Sequence, residues 1–165
     1  MEASIEINGL QESDVAQLYE INEAAVPAVG SVTREFFGRL LYELADFVLV
    51  ARQSELPLGF VLCMREGVDY ESPNYRWICE RYPQFVYVDR VDVAAQSRSA
   101  GIGGLLYDRV TTHYGRKSAA LLAEVSLEPP NPGSVKFHRR MGFREVGERW
   151  DDDGSKGVVF FERAL

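Results

Sequence analysis

The stretch Val91-Asp-Val-Ala-Ala-Gln-Ser-Arg-Ser-Ala-Gly-Ile-Gly-Gly104 constrains the fold more than any other part of the chain. It opens as an apolar and polar alternation and crosses a run of small and polar residues. It then takes up a helical period, with Ile102, Leu106 and Val110 at i, i+4 and i+8. A strand that turns straight into a helix belongs in an α/β layer. The first N–H groups of such a helix have no intrahelical acceptor. Together with the helix dipole they suit phosphate oxygens. Gly101 and Gly103 have no Cβ, so the backbone there can come close to a diphosphate, and Arg98 adds a permanent cation. The same residues equally describe a tight strand-to-helix turn with a surface arginine. At the level of local chemistry both readings stand.

The rest of the chain fills out one layer of this kind. Ser4–Ile7 alternates as a short strand. Gln11–Ala25 reads as a helix; Val15, Leu18, Tyr19 and Val26 share a face that Asn22 interrupts. Val26–Val32, with Pro27 and Gly30, is a loop, and Thr33 can cap a second helix over 34–45, striped by Phe36, Phe37, Leu40, Leu41 and Leu44. Phe47–Arg52 and Leu58–Met64 are apolar strands joined through Gln53–Pro57 as a hairpin. Arg65–Gln84 has no period and reads as a long irregular connection, the kind that serves function or an interface. Phe85–Val93 is a strand, Gly103–Tyr114 a helix, and Ala119–Ser126 a strand apolar enough to be buried on both faces. Pro132–Met141 is a short helix with Asn131 at its N-cap, Pro132 at its first position and Gly142 beyond its end. Phe143–Trp150 and Gly157–Arg163 form a closing hairpin. The expected order is β-α-α-β-β-β-α-β-α-β-β in a single domain, 1–165.

Composition narrows the function classes. Of 165 residues, 46% are hydrophobic and 26% charged, which fits a globular domain with its own core. The 18 basic and 25 acidic residues leave a net charge of −7, so nucleic acid is not the expected partner. The acidity suits either solubility or attraction of cationic amines. No apolar run is long enough to cross a bilayer, and the N-terminus lacks the basic and apolar regions of a signal peptide. Cys63 and Cys79 fit a reduced, cytoplasmic setting. Cys63, Cys79, His113 and His138 form no pair at metal-ligand spacing, so no metal is expected. Two rival phosphate motifs fail on detail. The glycine turn reaches Leu106 where a dinucleotide fingerprint needs its third glycine, and Gly115-Arg116-Lys117-Ser118 is not a P-loop.

Two ordered motifs carry a family resemblance. Val93-x-Ala95-x-x-Arg98-x-x-Gly101-x-Gly103 resembles the acetyl-CoA diphosphate motif of the GNAT superfamily of N-acetyltransferases. Further on, Glu124-Val125 and then Asn131-x-x-Ser134-x-x-Phe137-His138-x-x-x-Gly142-Phe143 resemble the family's later motif. A segment Asp69–Trp77, Asp-Tyr-x-Ser-Pro-Asn-Tyr-x-Trp, is similar to one found in members with no assigned acceptor. The resemblance implies a central mixed, mostly antiparallel twisted sheet of about seven strands flanked by about four helices. It implies acetyl-CoA as co-substrate, a primary amine as acceptor, and commonly a homodimer.

Residue by residue, the resemblance gives Val91 and Val93 to the pantetheine arm and thioester, and Arg98, Ser99, Ala100, Gly101 and Gly103 to the diphosphate. Asn131 would hydrogen-bond the arm or cap its helix. Glu124 stands where several members place a general base; a solvent-facing carboxylate at a strand end is the alternative. Asp89 and Asp92 are reserve bases and Tyr87 a reserve acid. The departures are Ala95 for the usual proline, Ser99 for a glycine, and extra length after Glu124 through Pro129 and Pro130. His138 takes the place of the tyrosine that protonates departing CoA; an imidazolium of pKa about 6.5 can meet that modest demand, and a helix histidine packing near the CoA sulfur or the core is the alternative. Asn22, Tyr70, Tyr75 and Trp77 are candidates for the acceptor site, where aromatic walls and carboxylates suit a cationic amine. Aromatics in this segment equally suit a dimer contact. A module that binds acyl-CoA without turnover is the alternative function.

Overall fold

The computed structural model describes residues 4–115 and 120–165. Seven strands, β1 (Ile5–Gly9), β2 (Phe47–Gln53), β3 (Leu56–Arg65), β4 (Val86–Val93), β5 (Ala120–Glu128), β6 (Arg144–Trp150) and β7 (Gly157–Ala164), form one sheet in the order β1-β2-β3-β4-β5-β7-β6. β4 and β5 run parallel; β1–β2, β2–β3, β5–β7 and β6–β7 are antiparallel. Five α-helices accompany them: α1 (Val15–Ala24), α2 (Arg34–Arg39), α3 (Pro73–Cys79), α4 (Ile102–Tyr114) and α5 (Pro132–Arg140). The sheet is thus the mixed, mostly antiparallel one expected, with α3 in addition. Ala119, where the strand after α4 was expected to begin, lies outside the described residues, as do Arg116, Lys117 and Ser118 of the rejected P-loop candidate.

The chain forms two compact units. The first comprises Met1–Met64 and Arg90–His113, the second Arg65–Asp89 and Tyr114–Leu165. In the first unit Leu18, Phe37, Leu40, Val50, Phe60, Leu106 and Val110 are fully buried, and each such side chain contributes roughly 1.5–3 kcal/mol. Phe37 meets Phe60 edge to face at 5.9 Å. The Thr33 hydroxyl caps α2 by accepting from the Phe36 N–H at 3.1 Å. The helix expected over 34–45 does not stay regular. Its end widens, and the Ala45 N–H donates to Leu40 O, five residues back. Leu40, Leu41 and Leu44 are all buried along this wider turn. The β2–β3 connection is also shorter than Gln53–Pro57. Gln53 pairs with Leu56, left-handed Ser54 makes the turn (φ 55°), and Pro57 pairs with Arg52 beside a register shift. Below this hairpin Arg52 forms a buried two-pronged ion pair with Asp14, and its Nη2 also donates to Gly9 O at 3.0 Å.

In the second unit the core gathers Phe85, Tyr87, Leu121, Leu122, Phe160 and Phe161, all fully buried. The segment expected to be irregular contains α3. Ser72 is its N-cap, accepting from the Tyr75 N–H at 3.3 Å, and Pro73 is its first residue. Tyr75 and Trp77 hold it down. The Tyr75 hydroxyl donates to Arg65 O at 2.7 Å, and Trp77 stacks on Phe160 at 3.9 Å. A Cβ on Gly147 would come within 2.6 Å of that indole, so the glycine is what lets Trp77 lie flat there. α5 keeps the expected punctuation: Asn131 Oδ1 accepts from the Ser134 N–H at 3.3 Å, and Gly142 is left-handed at φ 87°.

Candidate active site

In the first unit the end of β4 inverts the usual strand pattern. Arg90 and Asp92 are buried, whereas Val91 and Val93 are half-exposed. Arg90 can be covered because its guanidinium is hydrogen-bonded. Arg90 Nη1 donates to Asn22 Oδ1 at 2.7 Å and to Gly30 O at 3.4 Å. Asn22 Nδ2 in turn donates to Glu23 Oε1 at 3.0 Å. The Ser31 hydroxyl and then the Val32 N–H hold the Glu23 carboxyl below its usual range, outweighing desolvation, and Arg90 adds to the lowering. Asn22 is therefore fully buried and spends its amide on Arg90 and Glu23. The apolar face of β4 is left as a ribbon ending at Ala94, whose N–H donates to Leu58 O at 2.7 Å. Gly59 makes that approach possible, since a Cβ there would lie 2.7 Å from Asp92 O.

Beyond Ala94 a single tight turn, Ala95–Ser97, delivers Arg98 in extended conformation. Ser99 and Gly101 then adopt left-handed φ values of 68° and 78°, and Gly101 O accepts from the Leu105 N–H as α4 begins. Arg98, Ser99, Ala100 and Gly101 are exposed, Gly103 is half-buried, and Arg98 Nε donates to Val93 O at 3.3 Å. Left-handed residues just ahead of a helix form a concave backbone surface with the leading N–H groups of α4 beside it. Such a surface, with Arg98 beside it, suits a diphosphate.

The second unit gathers the acid and base candidates. The Tyr87 hydroxyl, fully buried on β4, donates to Glu124 Oε1 on β5 at 2.7 Å. Burial first, then the Glu124 and Asp89 charges, push the Tyr87 phenol well above its usual value, so it stays protonated. Asn74 Nδ2, from α3, donates to the same Oε1 at 3.2 Å. Arg149 Nε on β6 donates to Asn74 Oδ1 at 2.8 Å, and its Nη1 pairs with Asp151 at 3.0 Å. β5 carries on to Glu128 with a register shift between Ser126 and Glu128, which takes up the extra length before Asn131.

His138 is buried in α5 among Phe137, Phe143 and Phe161. Its Nδ1 lies 2.8 Å from Ser134 O; a carbonyl only accepts, so Nδ1 carries the proton. Burial lowers the imidazole below its usual value, only partly opposed by that bond. Near neutral pH the ring is thus mostly uncharged. Tyr75 and Trp77 are engaged within their unit as described above, and Tyr70 is half-exposed, 5.7 Å from the Tyr75 ring.

The structure thus brings Tyr87 and Glu124 together. It also adds Asn74, Arg149 and Arg90, which sequence reasoning did not single out. Ser72-Pro73 was the available signal for the first: a cap followed by a first-turn proline starts a helix and places Asn74 on it. No local signal marks Arg149 or Arg90. Among the described residues no group of three or more His, Cys, Asp or Glu side chains could hold a metal ion.

Comparison with known proteins bears on the family and the fold. The model of the Acetyltransferase (GNAT) family matches residues 15–143 and crosses both units. No curated protein sequence matches. Among solved structures, Arabidopsis thaliana NAA60 in complex with acetyl-CoA is 21% identical, with a TM-score of 0.75 over 98% of this chain and 100% of its own. The ribosomal-protein-S18-alanine N-acetyltransferase of Escherichia coli is 16% identical, with a TM-score of 0.74 over 98% and 94%. Ard1 of Thermoplasma volcanium is 15% identical, with a TM-score of 0.77 over 98% and 97%. At these identities the structures report a shared fold. With the family model spanning most of the sequence, the chain belongs to the Acetyltransferase (GNAT) family and is an enzyme of acyl transfer.

Proposed function

We propose that this enzyme takes an acetyl or other short acyl group from its CoA thioester and passes it directly to a primary amine. The observation that carries the reading is the Arg98–Gly103 turn, exposed and left-handed at Ser99 and Gly101 ahead of α4. Such a turn suits the coenzyme's diphosphate, and a protein of the same fold has been solved with acetyl-CoA. Arg98, Ser99, Ala100, Gly101 and Gly103 would cradle the diphosphate. Val91 and Val93 would offer backbone groups and an apolar edge to the arm, and Asn131 would add its carboxamide.

The acceptor sets the harder demand. An alkylamine of pKa about 10.4 costs roughly 4.6 kcal/mol to deprotonate at pH 7, against about 1 for an α-amino group. Glu124 is the base in this reading. The Tyr87 hydroxyl steadies it as a donor that keeps its own proton. The amine nitrogen then bonds to the acyl carbon as the carbon–sulfur bond breaks. A thiol of pKa about 8.5 leaves readily, so the small imidazolium fraction of His138 is an adequate proton source. Half-exposed Tyr70, between exposed Asp69 and Glu71, offers an aromatic and anionic edge to a cationic acceptor.

Calorimetric titration with acetyl-CoA, followed by thiol release over a panel of amines, tests the proposal. Saturable binding with amine-dependent release is expected. An absence of binding at millimolar acetyl-CoA overturns it. Binding without release for any amine overturns the transfer step and favours a module that senses acyl-CoA.

A further inference from the structure

Glu124 Oε1 accepts from two donors on different elements, the Tyr87 hydroxyl on β4 and Asn74 Nδ2 on α3. Two donors engage both lone pairs of one carboxylate oxygen and fix the plane of the group. The orientation of Asn74 is itself determined. Arg149 is donor-only, so the oxygen of the Asn74 carboxamide must face Arg149 Nε, and its NH2 must face Glu124. Arg149 is held by Asp151 in turn. We propose that Asn74 and Arg149 are positioning residues for Glu124, a relay through which α3 and β6 hold the base in a fixed orientation through its Oε1. The inference rests on the assignment of Glu124 as base.

The surroundings of Glu124 set what a substitution does. Tyr87 faces it from β4, and Asp89 and Tyr70 act on Tyr87; Arg149 and Asp151 lie beyond Asn74, and Phe160 is its apolar partner on β7. Asn74 is thus the carboxamide between the base and the guanidinium. Asp at this position keeps the contact with Arg149 and cannot donate to Glu124, so it sets two carboxylates side by side. Ala removes the donor to Glu124 and the acceptor of Arg149 together.

The test reads the base directly. The protein is labelled at the side-chain carboxyl carbon of glutamate, and the Glu124 signal is identified by its loss in Glu124→Gln. Its titration midpoint is followed by carbon-13 NMR. Asn74→Asp should raise that midpoint by about one pH unit or more, and Asn74→Ala and Arg149→Met should raise it less. The acid limb of thiol release from acetyl-CoA, with an amine taken from the panel, should move with it at unchanged KM for acetyl-CoA. Far-ultraviolet circular dichroism confirms that each variant folds. Titration midpoints that coincide with wild type in both Asn74 variants overturn the relay. Full activity of Glu124→Gln overturns the base assignment itself, a separate failure.

Discussion

The Arg98–Gly103 turn and the Glu124 cluster are built in opposite ways. The turn is exposed and made mostly of backbone, and its determinants are contiguous: left-handed Ser99 and Gly101, then the start of α4. The cluster is made of side chains delivered by α3, β4, β5 and β6, and its members lie 37, 50 and 75 positions apart in sequence. A backbone cradle tolerates side-chain change and fails when φ is denied to it. A side-chain cluster tolerates backbone strain elsewhere and fails when one donor or acceptor is lost. Binding and proton transfer should therefore separate cleanly by mutation.

Glu124→Gln is the largest break. It keeps the shape of the side chain and removes the proposed base, so turnover should fall by about two orders of magnitude or more, with acetyl-CoA affinity unchanged by calorimetry. Arg98→Ala should give the reverse signature: weakened acetyl-CoA binding, by about tenfold, with turnover at saturation largely retained. If both variants lose affinity and turnover together, the two regions do not divide the labour as described.

The same contrast explains what the sequence shows and what it hides. The turn was legible because its geometry needs specific residue types at adjacent positions. The α5 punctuation, Asn131-Pro132 and Gly142, was legible for the same reason. Tyr87 and Glu124 could be named as candidates, yet nothing local says that β4 and β5 bring them to 2.7 Å. The seven residues of α3 show no long apolar period, so the sequence marks only its Ser72-Pro73 start. Arg90 was unreadable for a different cause. A charged residue in a strand reads as solvent-facing, and only the fold supplies Asn22 and Gly30 O to cover it.

Backbone sensitivity is sharpest at Gly59. A Cβ there lies 2.7 Å from Asp92 O and 3.2 Å from Val93 Cα, and neither backbone atom can swing away. Gly59→Ala should cost about 2 kcal/mol in urea unfolding and disturb acetyl-CoA binding through β4. An unfolding midpoint equal to wild type would show that the strands simply move apart.

Within the turn, two substitutions should act with opposite sign. Ser99 holds φ 68°, a conformation that costs a non-glycine residue roughly 1–2 kcal/mol. Ser99→Gly relieves that strain against the extra freedom of glycine when unfolded, for a net gain of up to about 1 kcal/mol with acetyl-CoA affinity kept or improved. Gly101→Ala imposes the strain at φ 78°, although its Cβ would meet nothing within 4 Å. It should lose about 1 kcal/mol and weaken binding. Equal effects from the two would mean that φ does not shape the turn.

His138 gives the smallest effect and the clearest sign. Burial lowers its imidazole in the folded protein below the value of about 6.5 it has unfolded. The unfolded chain therefore binds the proton more readily in that range. The stability linked to neutral His138 is fully present above about pH 6.5 and drains away as pH falls through that value towards the folded one. His138→Phe keeps an aromatic ring among Phe137, Phe143 and Phe161 and removes the titration, at a cost under about 1.5 kcal/mol near neutral pH. Thermal midpoints measured from pH 8 to pH 5 should fall more steeply for wild type than for the variant, and the curves should converge on the acid side. Parallel curves would mean that the ring reaches its proton as freely folded as unfolded. His138 would then be a stronger acid source for the departing thiolate than its burial allows, and the division between an exposed binding turn and a buried proton-handling unit would need redrawing at α5.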